Sequence, residues 1–154
     1  MKKLLSAFCI VLLTGTIAKA QIKFNTGSAE MDANLNGINV DAKVDLGKFK
    51  ADLSLSFGVP ESKIDYMLSI NMQPAEVYLA LEIANITHTN CDQVVEVYNK
   101  NKGKGWGVIA KEMGIKPGSA EFHELKNKTK GKKSKGSGKK ENKGKGNGKG
   151  KGKK

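Results

Sequence analysis

Shifting the chain by thirty positions lays one stretch of it over another without a gap. Ile64 falls on Val94, Met67 on Val97 and Leu68 on Tyr98; further along, Leu79 falls on Ile109, Ala80 on Ala110, Glu82 on Glu112 and Ile83 on Met113. A self-match of this period suggests a repeated supersecondary unit, here residues 59–88 and 89–118. Each copy reads as two short helices with one apolar stripe apiece. One copy alone leaves its stripes wet, and two packed together bury them. The expectation is therefore a mainly α protein, a small bundle of short helices built from two helical hairpins.

Local signals place the helices. Pro60 and Pro74 each suit a first helical position, where the missing N–H costs nothing. Ile64, Met67 and Leu68 then share one face, as do Val77, Ala80, Leu81 and Ala84 in the second helix. Asn90 with Gln93 makes a weak capping pair for a third helix, whose stripe is Cys91, Val94, Val97 and Tyr98. Gly103 and Gly105 break the chain. A fourth helix places Trp106, Ile109, Ala110 and Met113 at i, i+3, i+4 and i+7, and Gly114 suits its C-terminal cap. These stripes nominate Trp106, Ile109, Ala110, Met113, Val94, Val97 and Tyr98 as structural core. After Lys116-Pro117-Gly118, Ser119 caps a short last helix bearing Phe122 and Leu125.

The sequence before the repeat is harder to read. Residues 21–44 look irregular at first, with Gly27 and many Asn, Ser and Asp. Val40, Ala42, Val44 and Leu46 alternate, then Phe49, Ala51, Leu53, Leu55 and Phe57 alternate again, with Gly47-Lys48 between; that pattern fits a β-hairpin. The rival is a helix from about Leu46 to Phe57, with Asp45 as N-cap, Gly58 just past its end and Leu46, Phe49, Leu53 and Phe57 as its stripe. The helix is preferred because it leads directly into a helical repeat, which makes residues 45–126 the expected helical domain.

Both ends carry their own composition. Lys2 and Lys3 precede an apolar run from Leu4 to Leu13, and Ala18-Lys19-Ala20 fits a small-x-small cleavage site, so residues 1–20 read as a signal peptide. The run is too short to span a bilayer, and Cys9 lacks a lipobox context. Export to the periplasm or the exterior is expected, leaving Cys91 as the one cysteine and no intramolecular disulfide. At the other end, residues 127–154 hold thirteen lysines and one glutamate, a net of +12, whereas residues 1–126 hold fourteen lysines and fourteen acids. The whole excess charge sits in a segment of Lys, Gly, Asn, Ser and Thr with no apolar residue. Nothing there offsets a backbone ordering cost of roughly 1–2 kcal/mol per residue, and the segment is expected to be a disordered basic tail.

The run from Gly103 to Lys126, and within it Gly105-Trp106-Gly107-Val108-Ile109-Ala110-Lys111, resembles a signature of small exported bacterial proteins with tandem helical hairpins. The similarity covers about residues 57–126. The first copy departs from the pattern, since Pro74-Ala75-Glu76 stands where the second has its glycine turn. The resemblance implies a helical fold and an exported location. It supplies no activity and no catalytic residues.

Several groups of residues invite chemistry. Trp106 between two glycines reads either as a platform for a sugar or base or as a core anchor, and its place in the helical stripe favours the core. Lys102-Gly103-Lys104-Gly105 resembles an anion nest at a helix start but lacks the P-loop spacing. His88, Cys91 and His123 are the only soft-metal ligands, whereas a structural zinc site needs four; Cys91 lies on an apolar stripe and reads as a buried thiol. Residues 108–126 mimic a helix-turn-helix, but the second helix would present Glu121 and Glu124 to phosphates. No catalytic constellation is present, and no metal or cofactor is expected.

What remains is the charge. Lys128, Lys130, Lys132, Lys133, Lys135, Lys139, Lys140, Lys143, Lys145, Lys149, Lys151, Lys153 and Lys154 form the candidate polyanion-binding set. The chain contains no arginine, so the planar guanidinium fork that favours specific nucleic-acid reading is missing and point-charge attraction is left. The expected function is non-enzymatic and nonspecific binding of extracellular nucleic acid, anionic polysaccharide or the envelope surface. The alternative is a small-ligand or metal-binding envelope protein using Trp106, His88 and His123.

Overall fold

The computed structural model describes residues 23–136. Among these, seven helices and no strand are present: α1 (Ala29–Val44), α2 (Leu46–Phe57), α3 (Glu61–Ser69), α4 (Pro74–Thr87), α5 (Cys91–Lys100), α6 (Trp106–Glu112) and α7 (Ala120–Gly136). The mainly helical bundle expected from the repeat is the observed architecture. The leader expected at residues 1–20 and the lysines from Lys139 to Lys154 lie outside the described residues.

Helix α4 is the centre. Its sequence carries only two charges, Glu76 and Glu82, and Ala75 and every residue from Val77 to Ala84 are buried. A helix that is apolar all round must be covered all round, and α4 is packed by α1, α2, α3, α5 and α7. Pro74 occupies its first turn. Gln73 and Glu76 close a capping box, the Gln73 N–H donating to Glu76 Oε2 at 2.8 Å. The thirty-residue register survives in three dimensions: α3 begins at Glu61 and α5 at Cys91. The second copy is trimmed, because α6 stops after seven residues where α4 runs for fourteen.

Two expectations about the ends are corrected. Residues 21–44 are not an irregular lead-in, because α1 occupies sixteen of them, with Ser28 as its N-cap. Met31, Leu35, Ile38 and Ala42 form its buried stripe, at i, i+4, i+7 and i+11. The alternation through Val40, Val44 and Leu46 has no structural meaning, for all three are exposed. Asn39 accepts the orphan N–H of Ala75 at the start of α4 at 2.8 Å. Next to it, residues 46–57 form a helix and not a hairpin, capped by the Asp45 side chain and ended by Gly58 in the left-handed region.

At the other end, the domain does not stop at Lys126. Helix α7 continues to Gly136, so residues 127–136 are helical and not a disordered tail. Packing explains the continuation. Thr129 is fully buried, and the Tyr78 hydroxyl donates to the carbonyl of Lys128 at 2.9 Å. Helix α7 lies along α1 and α4, and these contacts supply what its weak intrinsic propensity lacks.

Candidate functional site

The Gly-Trp-Gly turn is the first place to look, and its geometry is structural. Trp106 is buried, stacks on Tyr98 at a ring separation of 5.5 Å and donates its indole N–H to Glu76 Oε1 at 3.0 Å. Glu76 thus ties the capped start of α4 to the start of α6, thirty residues on. The α6 backbone donors are also taken: Trp106 N–H reaches the carbonyl of Phe24 at 2.8 Å and Gly107 N–H that of Asn25 at 2.9 Å. This close approach explains the glycines. A Cβ at Gly105 would lie 2.5 Å from Asn25 Cβ, and one at Gly107 would lie 3.0 Å from the Asn25 carbonyl oxygen. The donors that an anion nest would need at Trp106 and Gly107 are spent on the chain's own residues 24–25.

Val94, Tyr98, Ile109 and Ala110 are buried, while Val97 and Met113 are partly buried against the same core. Cys91 is buried with its Sγ 3.7 Å from Met67 Sδ, and burial pushes its thiol up to about 11. His88 is exposed and terminates α4 in a left-handed conformation. His123 is exposed on α7. Among the described residues no three of His, Cys, Asp or Glu are grouped to hold a metal ion. Trp106 is buried and bonded to Glu76, whereas His88 and His123 are exposed, at the end of α4 and on α7.

The lysine run begins inside the body. Lys126 pairs with Glu30 at 2.8 Å, Lys130 approaches the same carboxylate at 4.0 Å, and Lys128 lies 4.0 Å from Glu124. The neighbouring lysines hold the Glu30 carboxyl below its usual range. Lys132 places its Nζ over the Phe49 ring at 5.3 Å. The root of the cationic segment is therefore engaged with α1, α2 and its own helix.

Sequence reasoning missed a cleft beside that root. It has a volume of about 1310 Å³ and lies between α2 and α7, with α1 and α4 contributing to its lining. Ile38, Phe49, Leu53, Leu55 and Phe57 give it apolar walls, and Tyr78 and Glu82 come from the central helix. Five carboxylates line it (Asp41, Asp45, Asp52, Glu82 and Glu124) against three lysines, Lys48, Lys128 and Lys132; His123 is also at its edge. Glu82 is the unusual member. It is 5% exposed; its Oε1 lies 2.8 Å from the Tyr78 hydroxyl, whose one proton is shared between this oxygen and the Lys128 carbonyl, and its Oε2 has no hydrogen-bond partner. Burial raises its pKa, with the Tyr78 hydrogen bond and the charge of Lys128 opposing the shift. The same burial and the adjacent carboxylate raise that of Tyr78. The one sequence signal for this place was an acid set in an otherwise apolar helix face.

No helix among the described residues is long and apolar enough to cross a membrane. Comparison with protein-family models, with curated proteins and with solved structures returned no match.

Proposed function

We propose that this protein is an exported, non-enzymatic helical module whose lysine-rich C-terminal segment binds polyanions without sequence preference. The observation that carries the reading is the division of charge: residues 127–154 hold the entire net +12 of the chain, without one arginine. Lysine ammoniums attract phosphate, sulfate or carboxylate groups as point charges and lack the planar fork with which arginine fixes a bidentate contact. Extracellular nucleic acid, anionic polysaccharide and the anionic envelope surface all present such groups. The pairing of Lys126, Lys128 and Lys130 with body carboxylates supports a division of labour along the run. The root lysines fasten the segment, and the lysines after Lys132 contact the partner.

The test is a salt titration of binding to duplex DNA and to heparin, with the full chain and with a chain ending at Gly136. Each lysine–phosphate contact releases condensed counterion, so log affinity for a duplex falls against log salt with a slope of about −0.9 per contact. With six to ten contacts, affinity drops roughly 10³–10⁵-fold between ~50 and ~200 mM salt. The shortened chain lacks eight lysines, from Lys139 to Lys154, and should lose most of both affinity and slope. Equal binding by the two chains refutes the proposal.

A further inference from the structure

We propose that the cleft between α2 and α7 binds an amphipathic organic cation, an alkyl- or arylammonium whose apolar body lies along α2 and whose ammonium sits on Glu82. Three observations converge on this chemistry. The first is the unpartnered Oε2 of Glu82, on a side chain 5% exposed that lines the cleft. A buried acceptor without a donor carries an uncompensated desolvation cost, and a ligand N–H would recover it. The second is the balance of five carboxylates against three lysines on the lining, which favours a cation over an anion. The third is that the protein already sets an ammonium on the aromatic wall, Lys132 Nζ over Phe49. Cation–π attraction of that kind serves a ligand ammonium equally well.

The apolar component follows from the walls. Leu55 is 86% exposed and Val44 84% exposed, both at the cleft. A ligand that carried only charge would leave them wet, whereas each CH₂ buried against them favours binding. A short inorganic cation therefore uses half of the site, whereas an alkylammonium uses all of it.

The experiment is calorimetric titration of the full-length protein with n-octylammonium, n-octanoate and 1-octanol, accompanied by amide chemical-shift mapping. Octylammonium should bind at one site and shift amides of α2, α7 and the Tyr78–Glu82 turn of α4, with octanoate and octanol at least about tenfold weaker, a step of ~1.4 kcal/mol. Glu82→Gln, which keeps the shape and the acceptor for Tyr78, should weaken octylammonium about tenfold or more while leaving octanol unchanged. Asp52→Asn, an exposed position, provides a milder loss that cannot be attributed to unfolding. Octanoate binding as tightly as octylammonium would make this a carboxylate site held by Lys128 and Lys132, and would overturn the proposal. So would an unaltered affinity in Glu82→Gln, an absence of octylammonium binding, or shifts confined to other helices. An affinity that rises about tenfold on cutting the chain after Gly136 would identify the chain's own lysines as the occupant, and would also overturn it.

Discussion

Ending the chain at Lys126 and ending it at Gly136 should have different consequences for the folded body. The first cut removes the last ten residues of α7. With them go the Lys128 carbonyl that accepts the Tyr78 hydroxyl at 2.9 Å, and Thr129, which is fully buried. The hydrogen bond contributes about 0.5–1.5 kcal/mol. The carbon atoms of Thr129 add roughly 1–2 kcal/mol at about 0.8 kcal/mol per buried CH₂. Together the loss is ~1.5–3.5 kcal/mol, which at roughly 4–6 °C per kcal/mol for a body of this size lowers Tm by about 6–21 °C. The cut also opens the space above Glu82. The second cut leaves α7 whole and should move Tm by no more than about 2–3 °C, the range of ordinary surface changes. Thermal denaturation followed by far-ultraviolet circular dichroism reads both. If the chain ending at Lys126 melts with the full chain, the last turns of α7 contribute nothing and the packing argument for Thr129 fails.

Trp106→Ala should cost about 3–5 kcal/mol in denaturant titrations, since it empties a core position and strips Glu76 of its indole donor. Gly105→Ala should cost roughly 1–3 kcal/mol from its left-handed backbone alone, with the contact to Asn25 Cβ adding to it. Cys91 should resist thiol reagents in the folded state and react on denaturation, because burial disfavours its thiolate; rapid native labelling would contradict its placement. Glu82 is protonated more readily folded than unfolded, so its contribution is fully present below about pH 4.5 and is lost as pH rises through the raised folded value. Glu82→Gln should flatten that part of the Tm–pH curve, and an unchanged curve would show that Glu82 is not desolvated.

The sequence carried the bundle well where two signals agreed. The repeat, the prolines at helix starts and the stripe through Trp106, Ile109 and Ala110 all pointed to the same elements. It misled where polar composition hid a stripe. Helix α1 contains Asn34, Asn36, Gly37 and Asn39, all poor helix formers, and yet Met31, Leu35, Ile38 and Ala42 stood at helical spacing throughout. Asn39 is a tertiary residue: it caps α4, a role visible only once α1 and α4 are side by side. Helix α7 misled for the opposite reason. Nothing local in Lys126 to Gly136 favours order, and the stabilising partners, Tyr78 and Glu30, lie about fifty and a hundred residues away in the sequence. The cleft was illegible on the same grounds, since its walls come from four helices. Glu82 was legible only as an oddity, an acid in the repeat position matched by Glu112. The repeat equated the two, but α6 ends at Glu112 while α4 continues past Glu82 beneath α7.

Helix α7 belongs to both proposed sites, and this decides which substitutions can separate them. Lys128 and Lys132 line the cleft and also head the cationic run. Replacing either with a neutral residue would loosen the root of the polyanion-binding segment, remove a cation that opposes an ammonium ligand, and disturb Glu82 through the loss of a neighbouring positive charge. A change in binding by such a variant would therefore assign nothing. Glu82→Gln alters the cleft and leaves every lysine in place. Shortening the chain to Gly136 removes eight lysines and leaves every residue of the cleft lining in place. If the two functions are independent, the first variant should lose octylammonium and keep its DNA salt slope, and the second should do the reverse. If both activities fall together in either variant, α7 does not hold two sites, and the segment and the cleft are parts of one.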